Sequence, residues 1–234
     1  MIDADDFDAD ELKLDPNFAD RFEQDKKPAC QLYLISPPRI DEGFAAKLAE
    51  ALDAGAPVAA FQLRLKGVDD HAIAALAPPL QKLCADHDVA FIVNDSIGLA
   101  KRLKADGVHL GQDDGDPRDA REQLGRDAQI GVTCHDSRHL AMDAGDAGAD
   151  YVAFGAFYPT DTKDVKHHAE PSILGWWSTV TGIPSVAIGG ITPDNARPLV
   201  DAGADFIAVS GAVWNDPAGP AAAIRKFQAV LSRD

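Results

Sequence analysis

Cysteine is scarce in this chain, and the few cysteines that occur form no pattern. There are three among 234 residues, Cys30, Cys84 and Cys134. Their odd number and irregular spacing match neither a disulfide framework nor a zinc site. We therefore expect reduced thiols and a cytoplasmic protein.

Positive charge and long apolar runs are lacking too. Lys and Arg number 22 against 38 Asp and Glu, which gives a formal net charge of −16 at pH 7. This excess of negative charge disfavours nucleic acid and anionic membrane surfaces as partners. No apolar run approaches the length of a membrane span, and the acidic N-terminus is unlike a signal peptide. A local cluster of positive charge in this background would therefore indicate an anionic ligand.

The first 28 residues differ in composition from the rest. Residues 1–28 are heavily acidic with isolated apolar side chains, which predicts a solvated, partly disordered extension. A second interpretation is a contact arm in a homodimer, and the sequence leaves both open. The chain as a whole is 46% hydrophobic, enough for residues 29–234 to bury one substantial core.

One pattern is repeated from Cys30 onward. Eight short apolar segments are typical of strands, and helical spacing separates most of them. Similar sequences precede and include three of these segments, namely KADGVHLG (104–111), AGADYVAFG (147–155) and AGADFIAVSG (202–211). Their recurrence indicates a repeated helix–turn–strand unit. This predicts an α/β fold, a single (β/α)8 TIM barrel. A doubly wound sheet is disfavoured because no G-x-G-x-x-G turn follows the first strand. The predicted strands are Gln31–Ser36, Ala59–Leu65, Ala90–Val93, Gly107–Leu110, Ile130–Thr133, Tyr151–Gly155, Ser185–Ile188 and Phe206–Ser210.

Oxygen-bearing side chains follow two neighbouring predicted strands. A helix predicted over Ser96–Lys104 makes residues 90–114 a compact βαβ unit, so the two strand ends point the same way. Asn94 and Asp95 follow the first strand, and Gln112–Asp114 follow the second. Oxygen ligands gathered in this way suit magnesium. Asp and Asn also terminate strands and cap helices, so this segment alone favours neither interpretation.

The second predicted strand carries a sharper signal. In FQLRLKG, Gln62, Arg64 and Lys66 alternate with apolar residues, which places the polar three on one face. Two cations facing a barrel mouth require an anion, because uncompensated charge there is costly. The alternative is that Arg64 and Lys66 pair with Asp95 and Asp114.

The last strands suggest a second anion site. In FYPTDTKD, Thr160 and Thr162 offer hydroxyl groups and Lys163 a cation, although a solvated loop explains them equally well. Glycines in AIGGI (187–191) and AVSG (208–211) allow backbone amides to approach a ligand closely. Loops after the last two strands are the usual phosphate site of such barrels.

Six segments, in order and with similar spacing, resemble the thiamine phosphate synthase family over Gln31 to Leu231. The resemblance implies that a 4-amino-2-methyl-5-hydroxymethylpyrimidine diphosphate and a thiazole phosphate are joined, with release of diphosphate. The segments are QLRLK (62–66), VNDS (93–96), DGVHLGQDD (106–114), GVTCH (131–135), ADYVAFGAFYPTDTK (149–163) and AIGGI (187–191).

The resemblance also implies roles for individual residues. The pyrimidine diphosphate would be bound by Gln62, Arg64, Lys66, Asn94 and Lys163. Magnesium would be held by Asp95 and Asp114. The thiazole phosphate would be contacted by Thr160, Thr162, Gly190, Val209 and Ser210. Thr133 stands where the family usually has serine, beside the leaving group. The catalytic charge stabilisation would come from Arg64, Lys66, Lys163 and Thr133.

Three features bear on how far the resemblance extends. Ser96 replaces an arginine common in the family, Thr133 adds a methyl group, and residues 164–174 lack the usual glycines. His109 is expected to face inward for structural reasons. Two alternatives remain, a thiazole tautomerase-like isomerase and a non-catalytic phosphate-binding relative. The isomerase would not need both cations of the second strand together with two carboxylates, so their joint presence favours the synthase.

Overall fold

Eight parallel strands close into a barrel in a computed structural model, which describes residues 28–159 and 167–231. Each strand pairs with the next along the chain, and the eighth pairs with the first. The predicted (β/α)8 barrel is thereby confirmed. The acidic extension, apart from residue 28, lies outside the described residues, as do the predicted site residues Thr160, Thr162 and Lys163.

The bounds of the elements are as follows. The strands are β1 (Gln31–Ile35), β2 (Val58–Leu63), β3 (Ala90–Asn94), β4 (Gly107–Leu110), β5 (Gln129–His135), β6 (Tyr151–Phe154), β7 (Ser185–Ile188) and β8 (Phe206–Val209). The helices are α1 (Phe44–Leu52), α2 (Asp70–Asp86), α3 (Ile97–Leu103), α4 (Pro117–Leu124), α5 (Arg138–Asp146), α6 (Ser172–Val180), α7 (Arg197–Asp201), α8 (Gly211–Trp214) and α9 (Pro220–Leu231). All eight predicted strands are present, with ends that differ by at most two residues.

Short polar side chains begin several of the helices. Asp69 accepts hydrogen bonds from two backbone N–H groups at the start of α2, and Ser96 and Ser137 each accept one at the start of α3 and α5. These acceptors satisfy N–H groups that the first helical turn leaves without partners. No helix within the described ranges is both long and apolar enough to span a membrane.

The strands bury side chains on two faces, as period-two alternation requires. Outward residues such as Leu34, Phe61 and Val108 join the large core between strands and helices. Inward residues such as Ile35 and Ile92 fill the barrel interior. This interior also contains polar side chains, among them Gln62 and His109.

The aspartates of the repeated sequence tie strands together at the N-terminal end of the barrel. Asp106, Asp150 and Asp205 each precede an even-numbered strand. The carboxylate of each accepts a hydrogen bond, 2.7–2.8 Å long, from a backbone N–H near the start of the preceding strand. Asp205 also accepts one from the Ser185 hydroxyl at 3.1 Å. The repeat is therefore a structural device for joining strand pairs.

The Asp205→Ala variant is expected to unfold more easily than the wild type, because it removes the acceptor for two donors of the fully buried Ser185. The expected loss is about 2 kcal/mol in the free energy of unfolding, measured by urea denaturation. Asp205→Asn retains one oxygen acceptor and should lose less. Equal stability of wild type and Asp205→Ala would contradict this role.

Candidate active site

The carboxyl ends of β2, β3 and β4 carry charged side chains at one rim of the barrel. Arg64 and Lys66 follow β2, Asp95 follows β3 and Asp114 follows β4. The Lys66 Nζ lies 3.8 Å from the nearer Asp95 oxygen. Both of these side chains are partly exposed, so the pair contributes little to stability and leaves the lysine available to a ligand. The rim therefore combines opposite charges in a small space.

Arg64 is held in place by a serine of the neighbouring strand end. Its backbone N–H donates to the Ser36 Oγ at 2.9 Å, and the Ser36 hydroxyl lies 3.1 Å from the Arg64 carbonyl oxygen. Burial lowers the pKa of Arg64 from its ordinary value, while the nearby charge of Asp95 acts in the opposite direction. An anion at the rim would offset the cost of partly burying this cation.

The structure shortens the predicted second strand but keeps its alternation, because Phe61, Leu63 and Leu65 all lie in the core between strands and helices. β2 ends at Leu63. The backbone N–H and carbonyl of Arg64 are hydrogen-bonded to the Ser36 hydroxyl, so they do not form the strand-to-strand hydrogen bonds that would extend β2. Gln62 is buried, and its Nε2 donates to the Tyr33 hydroxyl at 2.9 Å. Lys66 is exposed on the following loop. The glutamine therefore lies inside the barrel, and the two cations lie at its rim.

Asp95 and Asp114 form a close carboxylate pair. Asp95 has a left-handed backbone, φ +67°, and its N–H donates to the His109 carbonyl at 2.8 Å. Asp114 accepts from the Gly111 N–H at 2.9 Å, and a Cβ at Gly111 would lie only 2.6 Å from its carboxylate. Burial raises the pKa of Asp95, and the adjacent Asp114 carboxyl raises it further against the opposing effect of Lys66.

This pair suits a divalent cation. Two acidic groups within hydrogen-bonding reach repel each other when both are ionised, and a cation between them relieves that repulsion. Within the described ranges no group of three or more His, Cys, Asp and Glu side chains could hold a metal ion. A metal held by Asp95 and Asp114 would therefore take other ligands from water or substrate, as magnesium commonly does.

Thr133 lies near the end of β5 and contacts β4. Its hydroxyl lies 2.8 Å from the His109 Nε2. Its carbonyl accepts from the Gln112 Nε2 at 2.6 Å. His109 is buried and inward-facing as expected, and it pairs in register with Asn94 on β3. These contacts place Thr133 and Asn94 on strands near the two acidic groups.

The opposite side of the same rim is formed by the carboxyl ends of β7 and β8. Gly189 and Gly190 have positive φ, and a Cβ at Gly190 would lie 2.2 Å from the Pro159 carbonyl oxygen. The Asn195 side chain donates to the Gly190 carbonyl at 3.0 Å. This turn therefore requires glycine and is fixed by a side chain, which suits an anion site built from backbone.

Two further predicted site residues, Val209 and Ser210, lie at the carboxyl end of β8. Val209 is buried at its last position, and the Ser210 hydroxyl donates to the Ser36 carbonyl at 3.2 Å. The end of β8 is thus linked to the end of β1. Ser36 lies at the end of the first predicted strand, where site groups are expected, but the sequence assigns it no role.

Tyr33 and Tyr151 were also not predicted as site residues. Both lie inside the barrel with their hydroxyl groups 2.8 Å apart. Alternation predicts an inward position for each of them, but no local signal indicates that strands β1 and β6 would bring them together.

Stability is expected to fall as the pH drops from about 6.5 to 4, because burial lowers the pKa of His109 to about 4. The unfolded chain binds this proton near pH 6.5, whereas the folded chain binds it only near pH 4. The contribution of neutral His109 to the free energy of unfolding is therefore fully present above pH 6.5 and is lost as the pH falls to 4. The difference is about 3 kcal/mol. Urea denaturation of His109→Gln between pH 7 and 4 should give a flatter dependence. His139→Gln, on the exposed surface of α5, is the control and should retain the wild-type slope.

Comparisons with known proteins agree with this geometry. A family model described as thiamine monophosphate synthase matches residues 32–213. A thiamine-phosphate synthase of Erythrobacter litoralis is 68% identical over 188 residues, covering 79% of this chain and 88% of that protein. One from Rhodospirillum centenum is 58% identical over 203 residues, covering 86% and 98%.

A solved structure supports the same assignment. The thiamine phosphate pyrophosphorylase of Pyrococcus furiosus superposes with a TM-score of 0.75 at 31% identity, covering 86% of this chain and 95% of that one. The family match, the identities and the barrel are mutually consistent. This chain belongs to the thiamine monophosphate synthase family, a family of transferases.

Proposed function

We propose that this protein joins 4-amino-2-methyl-5-hydroxymethylpyrimidine diphosphate to a thiazole phosphate and releases diphosphate. The observation that carries the proposal is the juxtaposition of Arg64 and Lys66 with the carboxylate pair Asp95 and Asp114 at one rim. Cations beside a metal-binding pair are what a diphosphate leaving group requires. An isomerase acting on a thiazole phosphate alone would not need this combination.

The leaving diphosphate would be stabilised by the cations at the rim. Its departure from the pyrimidine methylene leaves a resonance-stabilised carbocation, and the negative charge accumulates on the diphosphate oxygens. Arg64 is fixed by Ser36, and Lys66 is exposed and able to move toward the substrate. Lys163, on the loop after β6, is proposed as a third cation, and the Thr133 hydroxyl as a neutral donor.

Asp95 and Asp114 are proposed to hold Mg²⁺. When bound, the ion supplies charge neutralisation on the leaving group and a fixed point for its oxygens. The two carboxylates fit this use because burial and then the adjacent Asp114 carboxyl raise the pKa of Asp95, and a bound cation would favour its ionised form.

The remaining site residues align the two substrates. Gln62 and Asn94, on neighbouring strands β2 and β3, are proposed to bind the pyrimidine. The thiazole phosphate is proposed to lie against Gly190, Val209 and Ser210, with Thr160 and Thr162 from the β6 loop. This arrangement directs the thiazole nitrogen toward the carbocation, and alignment of this kind accounts for much of the rate enhancement in two-substrate reactions.

We also propose that residues 1–28 are an extension to the barrel domain of residues 29–234 and that the protein works in the cytoplasm. The three thiols support a reducing location, because Cys30, Cys84 and Cys134 are all buried and none forms a disulfide.

Purified protein with both substrates and Mg²⁺ is expected to yield thiamine phosphate and diphosphate, detected by mass spectrometry. Lys66→Ala should lower kcat by about 100-fold, because it removes a charge from the leaving-group site. Lys101→Ala removes the same charge from the exposed surface of α3 and should leave kcat unchanged. Absence of product from the wild type would refute the proposed reaction.

Mg²⁺ together with inorganic diphosphate is expected to raise the melting temperature of the wild type. At a tenfold excess over Kd the shift should be about 3–6 °C. Asp95→Asn should lose most of this shift because one ligand no longer carries charge. Asp113→Asn, adjacent to Asp114 in sequence and exposed, is the matched control. A shift retained in Asp95→Asn and lost in Asp113→Asn would place the metal elsewhere.

A further inference from the structure

A chain of hydrogen bonds crosses the barrel interior from β2 to β5. The Gln62 Nε2 donates to the Tyr33 hydroxyl at 2.9 Å, and this hydroxyl lies 2.8 Å from that of Tyr151. The Tyr151 hydroxyl lies 3.2 Å from the His109 Nδ1, and the His109 Nε2 lies 2.8 Å from the Thr133 hydroxyl. We call these five residues the interior relay. It connects the proposed pyrimidine contact at one end with the proposed leaving-group donor at the other.

The interior relay lies in an apolar environment. Its members Tyr33, Gln62, His109 and Tyr151 are each at most 7% exposed. Apolar side chains such as Ile92 pack around them. A charge at any of these positions would be expensive, so each hydrogen bond joins one neutral donor to one neutral acceptor.

A glycine on β5, Gly131, provides the space that the Tyr151 ring of the relay occupies. A Cβ at Gly131 would lie 2.0 Å from the Tyr151 ring. The ring therefore extends past β5 only because this inward position is glycine. It then lies nearly parallel to the His109 ring, with centroids 5.6 Å apart. Two residues further along β5 is Thr133, the end of the relay.

The donor and the acceptor of each hydrogen bond in the relay can be assigned, because each hydroxyl group and the neutral imidazole has one proton to donate. The Tyr33 hydroxyl accepts from the Gln62 amide and has one other recorded partner, so we assign its own proton to the Tyr151 oxygen. The same assignment directs the Tyr151 proton to the His109 Nδ1 and leaves the histidine proton on Nε2. His109 consequently donates to the Thr133 oxygen, and the Thr133 hydroxyl keeps its own proton for another acceptor.

We infer that Tyr33, Tyr151 and His109 are positioning residues that hold the Thr133 hydroxyl as a hydrogen-bond donor to the departing diphosphate. This inference rests on the proposed function. The Gln62 Oε1 remains to accept from an amino group, such as that of the aminopyrimidine. Binding of the pyrimidine at Gln62 would therefore polarise the whole relay and strengthen the donor at its far end.

A double-mutant cycle tests this role, because a merely structural relay gives independent effects. In single-turnover experiments with enzyme in saturating excess, Tyr151→Phe is expected to lower the rate of diphosphate release by about tenfold. In steady-state assays the same variant should change KM by less than twofold. In a Thr133→Val background the same substitution should cause no further loss. Tyr33→Phe should behave like Tyr151→Phe.

Ser185→Ala is the matched control. It removes a buried hydroxyl that bonds Asp205 at the N-terminal end of the barrel. It should lower the melting temperature as the tyrosine variants do but leave the release rate within twofold of wild type. Melting curves of all variants separate loss of fold from loss of rate.

A wild-type rate in both tyrosine variants would overturn the inference, as would an equal loss in the wild-type and Thr133→Val backgrounds. Failure of both tyrosine variants to fold would assign the relay to structure alone and would also overturn it. These results differ from failure of the proposed function, in which the wild type itself makes no thiamine phosphate.

Discussion

Pairing of β1 with β8 closes the barrel, and the whole site depends on that closure. Leu34 lies opposite Val209 in this pairing. The Trp214 indole N–H donates to the Ile35 carbonyl at 2.6 Å, which reinforces the join at the functional rim. A closed sheet has no free edge, so the eight strand ends are held at fixed mutual positions. Loops from distant parts of the chain can then contribute to one site.

The rim contains basic side chains in a molecule that is otherwise strongly acidic. In a protein of net charge −16, Arg64 and Lys66 lie together beside the carboxylates of Asp95 and Asp114. The negative carboxylates reduce the repulsion between the two cations. The two cations in turn lower the pKa of Asp95 and so oppose the effects of burial and of Asp114. A diphosphate with a divalent ion complements both sets at once. Charge stabilisation of a leaving group is therefore the chemistry for which this rim is suited.

The barrel interior combines packing with polarity. Most inward positions are apolar, as in other barrels of this type. The interior relay is the departure from that rule among the described residues, and its members satisfy one another across the central space. Buried polar groups of this kind are costly unless they are all paired. Their presence beneath the site is better explained by a link to its chemistry than by stability.

The strands, the turns and the four charged residues Arg64, Lys66, Asp95 and Asp114 of the rim could be read from the order of amino acids. Alternation predicted the inward position of Gln62, and turn residues marked where strands begin and end, because both signals lie within about ten residues. Two features emerge solely from the folded barrel: Ser36 ends β2 before Arg64, and Tyr33 meets Tyr151 from 118 residues away. Such contacts follow from barrel closure, whose register is a property of all eight strands together and is not encoded in any one of them.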